Sequence, residues 1–134
     1  MSISLHSMSR VKNADVLLYE LLKERPPEAW ISHRGMPTWE EHKKFLASHP
    51  YHALYIVFNA DDVPVGSVYL SRAREIGIFI FKEHQHKGYG SQAVSELMTK
   101  WPGRFYANIA PGNTGSKAFF LQLGAKLIQE TYQL

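Results

Sequence analysis

Apolar residues recur along this chain with two periods, and the switches between them mark out its elements. Ile3 to Met8 reads as a first edge strand, and Ala14, Leu17, Leu18, Leu21 and Leu22 then form one apolar helical face that Pro26-Pro27 stops. Thr38-Trp39-Glu40-Glu41 is a capping box that opens a second helix, running to about Ser48 and closed by Pro50. Ala53 to Phe58 and Val63 to Leu70 are β-rich runs on either side of Asn59-Ala60-Asp61-Asp62, so they predict an antiparallel hairpin, with Pro64 at an edge or bulge position. After a second turn, Ser71 to Arg74, the residues Ile76, Ile78 and Ile80 alternate with Gly77, Phe79 and Phe81. Both faces of that strand are apolar, which predicts a strand inside the sheet, covered on both sides.

Helical spacing returns at Ala93, Val94, Leu97, Met98 and Trp101, and Pro102-Gly103 ends it. Arg104 to Ile109 reads as another strand, Asn113 caps a helix with Ala118, Phe119, Leu121 and Leu123 as its buried surface, and Gly124 terminates it. Lys126 to Tyr132 reads as a last strand. The order is β-α-α-β-β-β-α-β-α-β, an α/β chain with a mixed sheet of about six strands and four helices.

Composition narrows the setting. The 134 residues make one domain, 1–134, large enough for a core and too short for a second one. With 45% hydrophobic and 20% charged residues the balance is that of a soluble globular protein; no apolar run approaches a membrane span, the first residues lack a signal peptide's apolar region, and a cytoplasmic location is expected. No cysteine is present, which excludes disulfides, thiolate metal sites and an acyl-cysteine mechanism. The net charge of +3 suits an anionic ligand, but Lys and Arg are scattered, so a nucleic-acid partner is not expected. His84-x-His86 has no nearby ligands to complete a metal site, and no metal is expected.

The candidate chemistry lies between the apolar strand and the helix after it. Gln85-His86-Lys87-Gly88-Tyr89-Gly90 joins them, and backbone amides at a helix start have no partner inside the helix, so with the helix dipole they form an anion site. Gly88 and Gly90 let the chain turn tightly and let anion oxygens approach the amides, and Lys87 adds positive charge. The loop fits Q/R-x-x-G-x-G/A, and it resembles the acyl-CoA pyrophosphate loop of the GNAT superfamily of N-acetyltransferases. A second stretch, Asn113-x-x-Ser116-x-x-Phe119-Phe120-x-x-Leu123-Gly124-Ala125, is similar to that superfamily's N-x-x-S/A…L-G-F/A motif. The resemblance spans about residues 52 to 132 and implies the GNAT fold, splayed at its central strands, with acetyl-CoA as cofactor.

Residue by residue, the resemblance implies that main-chain groups of Ile78, Phe79 and Ile80 pair with the pantetheine arm and that the amides of Gln85, His86, Lys87, Gly88, Tyr89, Gly90 and Ser91 take the pyrophosphate. It places Asn113, Ser116 and Phe119 against the cofactor and Asn108 near the thioester. It implies direct attack of a neutral amine on the thioester in a ternary complex, with the Ile80 amide holding the oxyanion. Glu75 is the first candidate for the base, provided its register turns it to the reacting face, and His84 and His86 are the alternatives. Relatives carry a Tyr general acid where this chain has Phe120, so Tyr106, Tyr69, Tyr132 or water must protonate the leaving thiolate. The seventh strand of the superfamily is short or missing, and either a second copy of the chain covers the edge, as a homodimer, or the shortened wall admits a bulky acceptor.

The acceptor is expected to be a primary amine of a small molecule, met by Trp30, His33, Arg34, Met36 and Trp39. An amino-sugar or sugar nucleotide suits that aromatic loop, a peptide or protein N-terminus is a second option, and a polyamine suits it least because no acidic cluster stands outside Glu40 and Glu41. The competing expectation from another class is a non-catalytic acyl-CoA sensor or regulatory subunit, favoured by Phe120.

Overall fold

The computed structural model of the protein describes residues 2–25 and 35–134. Four strands, β1 (Ser4–Ser7), β2 (Ala53–Phe58), β3 (Pro64–Leu70) and β4 (Ile76–Ile80), form an antiparallel sheet in the order β1-β2-β3-β4. Four α-helices join them: α1 (Ala14–Lys23), α2 (Trp39–Ala47), α3 (Tyr89–Lys100) and α4 (Thr114–Gln122). The hairpin of β2 and β3 turns through Asn59, whose side-chain oxygen accepts from the amides of Asp61 and Val63, and the register shifts beside Pro64 because a proline cannot donate to the ladder.

The two faces of the sheet bury different helices. Val57, Val68, Leu70 and Ile76 point to one face and pack against Tyr89, Ala93, Val94 and Leu97 of α3. Ile56 points to the other and packs against Ala14, Leu18 and Leu21 of α1 and Leu46 of α2. His42, buried on α2, donates from Nε2 to the Asp15 carbonyl at 3.0 Å and ties the two helices together. The strand period of two thus carries a helix on each face, with β4 at one edge of the sheet.

The capping box at Thr38 is formed in full: the Glu41 amide donates to Thr38 Oγ1 at 3.2 Å and the Thr38 amide to Glu41 Oε1 at 2.8 Å. The Thr38 amide, and then its hydroxyl, hold the Glu41 carboxyl below its ordinary value. A depressed carboxylate adds stability above its unfolded pKa and loses it as pH falls through the folded one. Thr38→Ala is therefore expected to lower Tm by about 3–4 °C at neutral pH, the worth of a lost cap in a chain of this size, with the difference shrinking on acidification. Scanning calorimetry from neutral to acid pH checks both parts.

Three expectations change. The segment Arg104 to Ile109 does not form a strand: it touches the sheet in one parallel bridge, Glu75 with Tyr106, where the Ile76 amide donates to the Tyr106 carbonyl at 2.7 Å. Arg74 pins its start by donating to the carbonyls of Trp101 and Arg104 and lying 4.6 Å from the Phe105 ring centre, after which residues 107–109 leave β4. The second change is at Lys126 to Tyr132, which is exposed and not a strand, because its alternation gives no purely apolar face and it has no paired neighbour. The third follows from the first two. β4 is an edge strand, not an interior one, and α4 buries no residue: Ala118, Leu121 and Leu123 are exposed, while Phe119 and Phe120 are the side chains that reach the core. No described helix is long and apolar enough to cross a membrane.

Candidate active site

Between β4 and α3 the chain runs through a single 3₁₀ turn, Lys82–His84, and then the glycine loop. Gln85 Nε2 donates to the Ile80 carbonyl at 3.0 Å, so the loop is fastened to the strand end, and His86 (φ 63°) and Gly88 (φ 85°) both take left-handed backbone. Gly88 stands at the N-cap of α3, and the first amide of that helix to reach a backbone acceptor is that of Gln92, which donates to the Gly88 carbonyl. Helices α2 and α4 are closed by side chains, Thr38 and Asn113. Helix α3 has no such cap, since Ser91 Oγ turns back to the Gly88 carbonyl instead. That start, without a side-chain cap and at the positive end of the helix, suits an anionic ligand. A Cβ on Gly90 would stand 3.1 Å from the Phe119 ring, so α3 and α4 approach closely beside the loop.

The edge of β4 continues the site. The Ile76 amide points outward to Tyr106, whereas the Phe81 amide points inward and donates to the Val65 carbonyl at 2.9 Å. Alternation then turns the main-chain groups of Ile78 and Ile80 outward, beyond the last bridge, onto an edge that a further strand would otherwise occupy. Phe79 differs from its neighbours: it shares the parity of Phe81, whose amide points inward, so its main-chain groups turn to β3 and only its side chain can contribute. At the closed end of this gap, the Glu75 carboxylate accepts from Asn108 Nδ2 and from Ser71 Oγ, the latter at 3.3 Å. Asn108 thus holds Glu75 in place, and the Asn113 oxygen is committed to capping α4 by accepting from the Ser116 amide at 3.1 Å.

On the face of the sheet opposite α3 lies a cavity of about 830 Å³ between α1, α2 and the strands, with Arg25, His42, Tyr51, Ser67, Tyr69 and Phe79 in its wall. Tyr51 and Tyr69 stack with ring centres 4.0 Å apart, and the Arg25 guanidinium lies 4.6 Å from the Phe79 ring centre. Burial raises both phenols above their ordinary range and lowers Arg25 below its own. Glu75 shares the parity of Gly77 and Phe79, so it faces this cavity side of the sheet, and its charge is felt at Tyr69.

The candidate residues therefore separate. Glu75 and Tyr106 meet at one end of β4, while His84 lies past the other end, roughly 15 Å along at a strand rise of 3.3 Å per residue, with its ring against Tyr89. One reaction centre cannot use Glu75 and His84 alike. Tyr89 is buried in the core, so its side chain belongs to the packing of α3 and not to the loop surface. The half-exposed Tyr106 ring lies at the Glu75 bridge, and the exposed Tyr132 donates to Glu130 in the C-terminal segment. Trp30, His33 and Arg34 lie outside the described residues. Met36 lines the cavity, but Trp39 is absent from its wall because it packs against Tyr19 and His42 on the outer seam of α1 and α2, with Lys43 over its ring. Arg25, Tyr51 and Ser67 are wall residues that no sequence motif singles out; Ser67 and Tyr69 alternate with Val68 and Leu70, a period-two signal that sets a polar face apart.

These features fit acetyl-CoA: a helix start with no side-chain cap for a diphosphate, a glycine with no Cβ to block it, and a strand edge that is unpaired past Tyr106 among the described residues, for an extended arm. The model of the GNAT acetyltransferase domain matches residues 7–126. A search of curated proteins finds no match. Among solved structures, an acetyltransferase from Thermus thermophilus is 22% identical with a TM-score of 0.76, covering 97% of this chain and 90% of its own. A domain from Methanocaldococcus jannaschii is 23% identical with a TM-score of 0.80, over 97% and 92%. The spermidine N-acetyltransferase of Vibrio cholerae, in complex with CoA and spermine, is 17% identical with a TM-score of 0.74, over 98% and 87%. With the family model covering most of the chain and the same fold in these structures, the protein belongs to the GNAT acetyltransferases, whose acetyl donor is acetyl-CoA.

Proposed function

We propose that the protein transfers the acetyl group of acetyl-CoA to a primary amine of a small molecule held in the cavity beside β4. The observation that carries this reading is the position of β4: the glycine loop lies at its end, its outer edge past the Tyr106 bridge is unpaired among the described residues, and one face of it forms part of the cavity wall through Phe79. Acetyl-CoA supplies an activated acyl thioester. The amides of His86, Lys87, Gly88, Gly90 and Ser91 hold its diphosphate, while that of Gln85 already donates to the Lys82 carbonyl, and the outward amides of Ile78 and Ile80 pair with its arm and polarise the acyl carbonyl. Ser116 and Phe119, at the start and middle of α4, flank the same gap. Glu75, fixed by Asn108 and Ser71, accepts the proton that the amine loses.

The cavity wall bears on the acceptor. Among the described residues it holds one carboxylate, Glu41, which is engaged in the capping box, and the guanidinium of Arg25. A polyamine with several ammonium groups would meet positive charge there, whereas an amino-sugar or another single amine with neutral polar groups would meet Ser67 and the two tyrosines. Incubating the protein with acetyl-CoA and a panel of amino-sugars, single amines, N-terminal peptides and polyamines, while following thiol release, tests this directly. Turnover with single amines and not with spermidine is expected. CoA binding without thiol release for any amine would leave the acyl-CoA sensor as the function.

A further inference from the structure

The cross-strand partner of Tyr69 is Gly77, and that pairing moves a hydroxyl a long way. A Cβ built on Gly77 would stand 2.0 and 2.1 Å from the tip of the Tyr69 ring and 2.6 Å from its hydroxyl oxygen. The ring therefore lies flat over Gly77 and carries its hydroxyl from β3 across to β4, a displacement of about one strand spacing, some 4.8 Å. Only glycine leaves that space. The hydroxyl reaches the strand that borders the gap, two residues from Glu75, on the cavity side.

We propose that the Tyr69 hydroxyl gives its proton to the sulfur that leaves as CoA, in place of the hydroxyl missing at Phe120. This rests on the acetyltransferase reading above. The amine nitrogen forms its bond to the acyl carbon, the carbon–sulfur bond breaks with its electron pair on sulfur, and the proton on Tyr69 Oη moves to that sulfur. The surplus proton of the new amide nitrogen passes to Glu75 and from there back to the Tyr69 phenolate. The amine loses one proton and the thiol gains one.

The surroundings of Tyr69 are arranged for a donor. Tyr51 stacks on it with ring centres 4.0 Å apart, and burial raises both phenols. Arg25, just past the end of α1, favours the phenolate, and Glu75 opposes it. From α2, Glu41 and His42 complete the ionisable groups of the same wall. Burial outweighs these influences and keeps the phenol protonated at neutral pH.

The test uses bound CoA itself, titrated through the ultraviolet absorbance of its thiolate. A hydrogen bond to the thiolate favours the charged form, so Tyr69→Phe is expected to raise the bound thiol's pKa by about one unit while calorimetric CoA affinity stays within about twofold. Replacing Tyr69 by 3,5-difluorotyrosine, a stronger donor, is expected to move the titration the other way. With the best amine of the panel, Tyr69→Phe should lower kcat about tenfold and leave the KM for acetyl-CoA unchanged. Identical titrations in the wild type and Tyr69→Phe overturn the proposal. Failure of the wild type to bind CoA overturns the cofactor site itself, and a shifted titration with no transfer to any amine overturns the acetyltransferase reading and the donor role together.

Discussion

Gly88→Val is expected to weaken CoA binding about a hundredfold while the chain stays folded. Gly88 sits at φ 85°, a region where a residue with a Cβ loses about 1–2 kcal/mol and a β-branched one more. The substitution meets little else, because a Cβ there finds only Gln92 Nε2, at 3.6 Å. The core against α3 is untouched, so the effect is confined to the loop. Either the loop keeps its path under strain, with the new side chain standing where phosphate oxygens approach, or it relaxes and turns its amides away. A hundredfold loss corresponds to about 2.7 kcal/mol, the order of that strain plus one or two charge-assisted hydrogen bonds. Isothermal calorimetry with CoA measures the loss, and a thermal melt of the same sample verifies folding. Undiminished affinity would remove the diphosphate from this loop.

The second large effect is expected at Glu75. Glu75→Gln has the same shape and can still accept from Asn108, so the bridge to Tyr106 and the start of β4 should persist. What it cannot do is take a proton. General-base catalysis contributes on the order of a hundredfold to ten-thousandfold, so kcat should fall at least about a hundredfold with the KM for acetyl-CoA nearly constant. Steady-state thiol release with the preferred amine provides the measurement. His84→Gln serves as the contrast: it lies beyond the opposite end of β4 and should change kcat less than about threefold. If the histidine variant loses the activity and the glutamate variant retains it, the base is at the loop and Glu75 is structural.

These expectations depend on what could be read at each stage. The helices were legible because their signals are local: a capping box at Thr38, an Asn cap at Asn113, apolar positions at helical spacing in α1 and α3, glycine and proline at their ends. The glycine loop was legible for the same reason, since the left-handed φ of Gly88 and the open helix start after it need only a few adjacent residues. The hairpin of β2 and β3 is another local unit, closed by the Asn59 side chain.

What failed was pairing between distant segments. Arg104 to Ile109 has the composition of a strand, but composition does not say whether a neighbour lies within hydrogen-bonding distance, and after the Tyr106 bridge none does among the described residues. The apolar faces of β4 predicted a strand inside the sheet, and its place at the edge of the sheet is the feature that gives the cofactor arm a line to pair with. Lys126 to Tyr132, with no strand beside it among the described residues, is exposed along its length.

The sequence alone determined the family, the elements built from contiguous residues, and the anion loop, because each depends on backbone geometry set within a few positions. Only the tertiary structure decided which face Glu75 presents, that Asn108 holds it, and that Tyr69 crosses Gly77 to stand beside it under Tyr51. Those relations join residues that are not neighbours in the chain, and in the sheet a register shift of one residue would have turned the side chains to the opposite face.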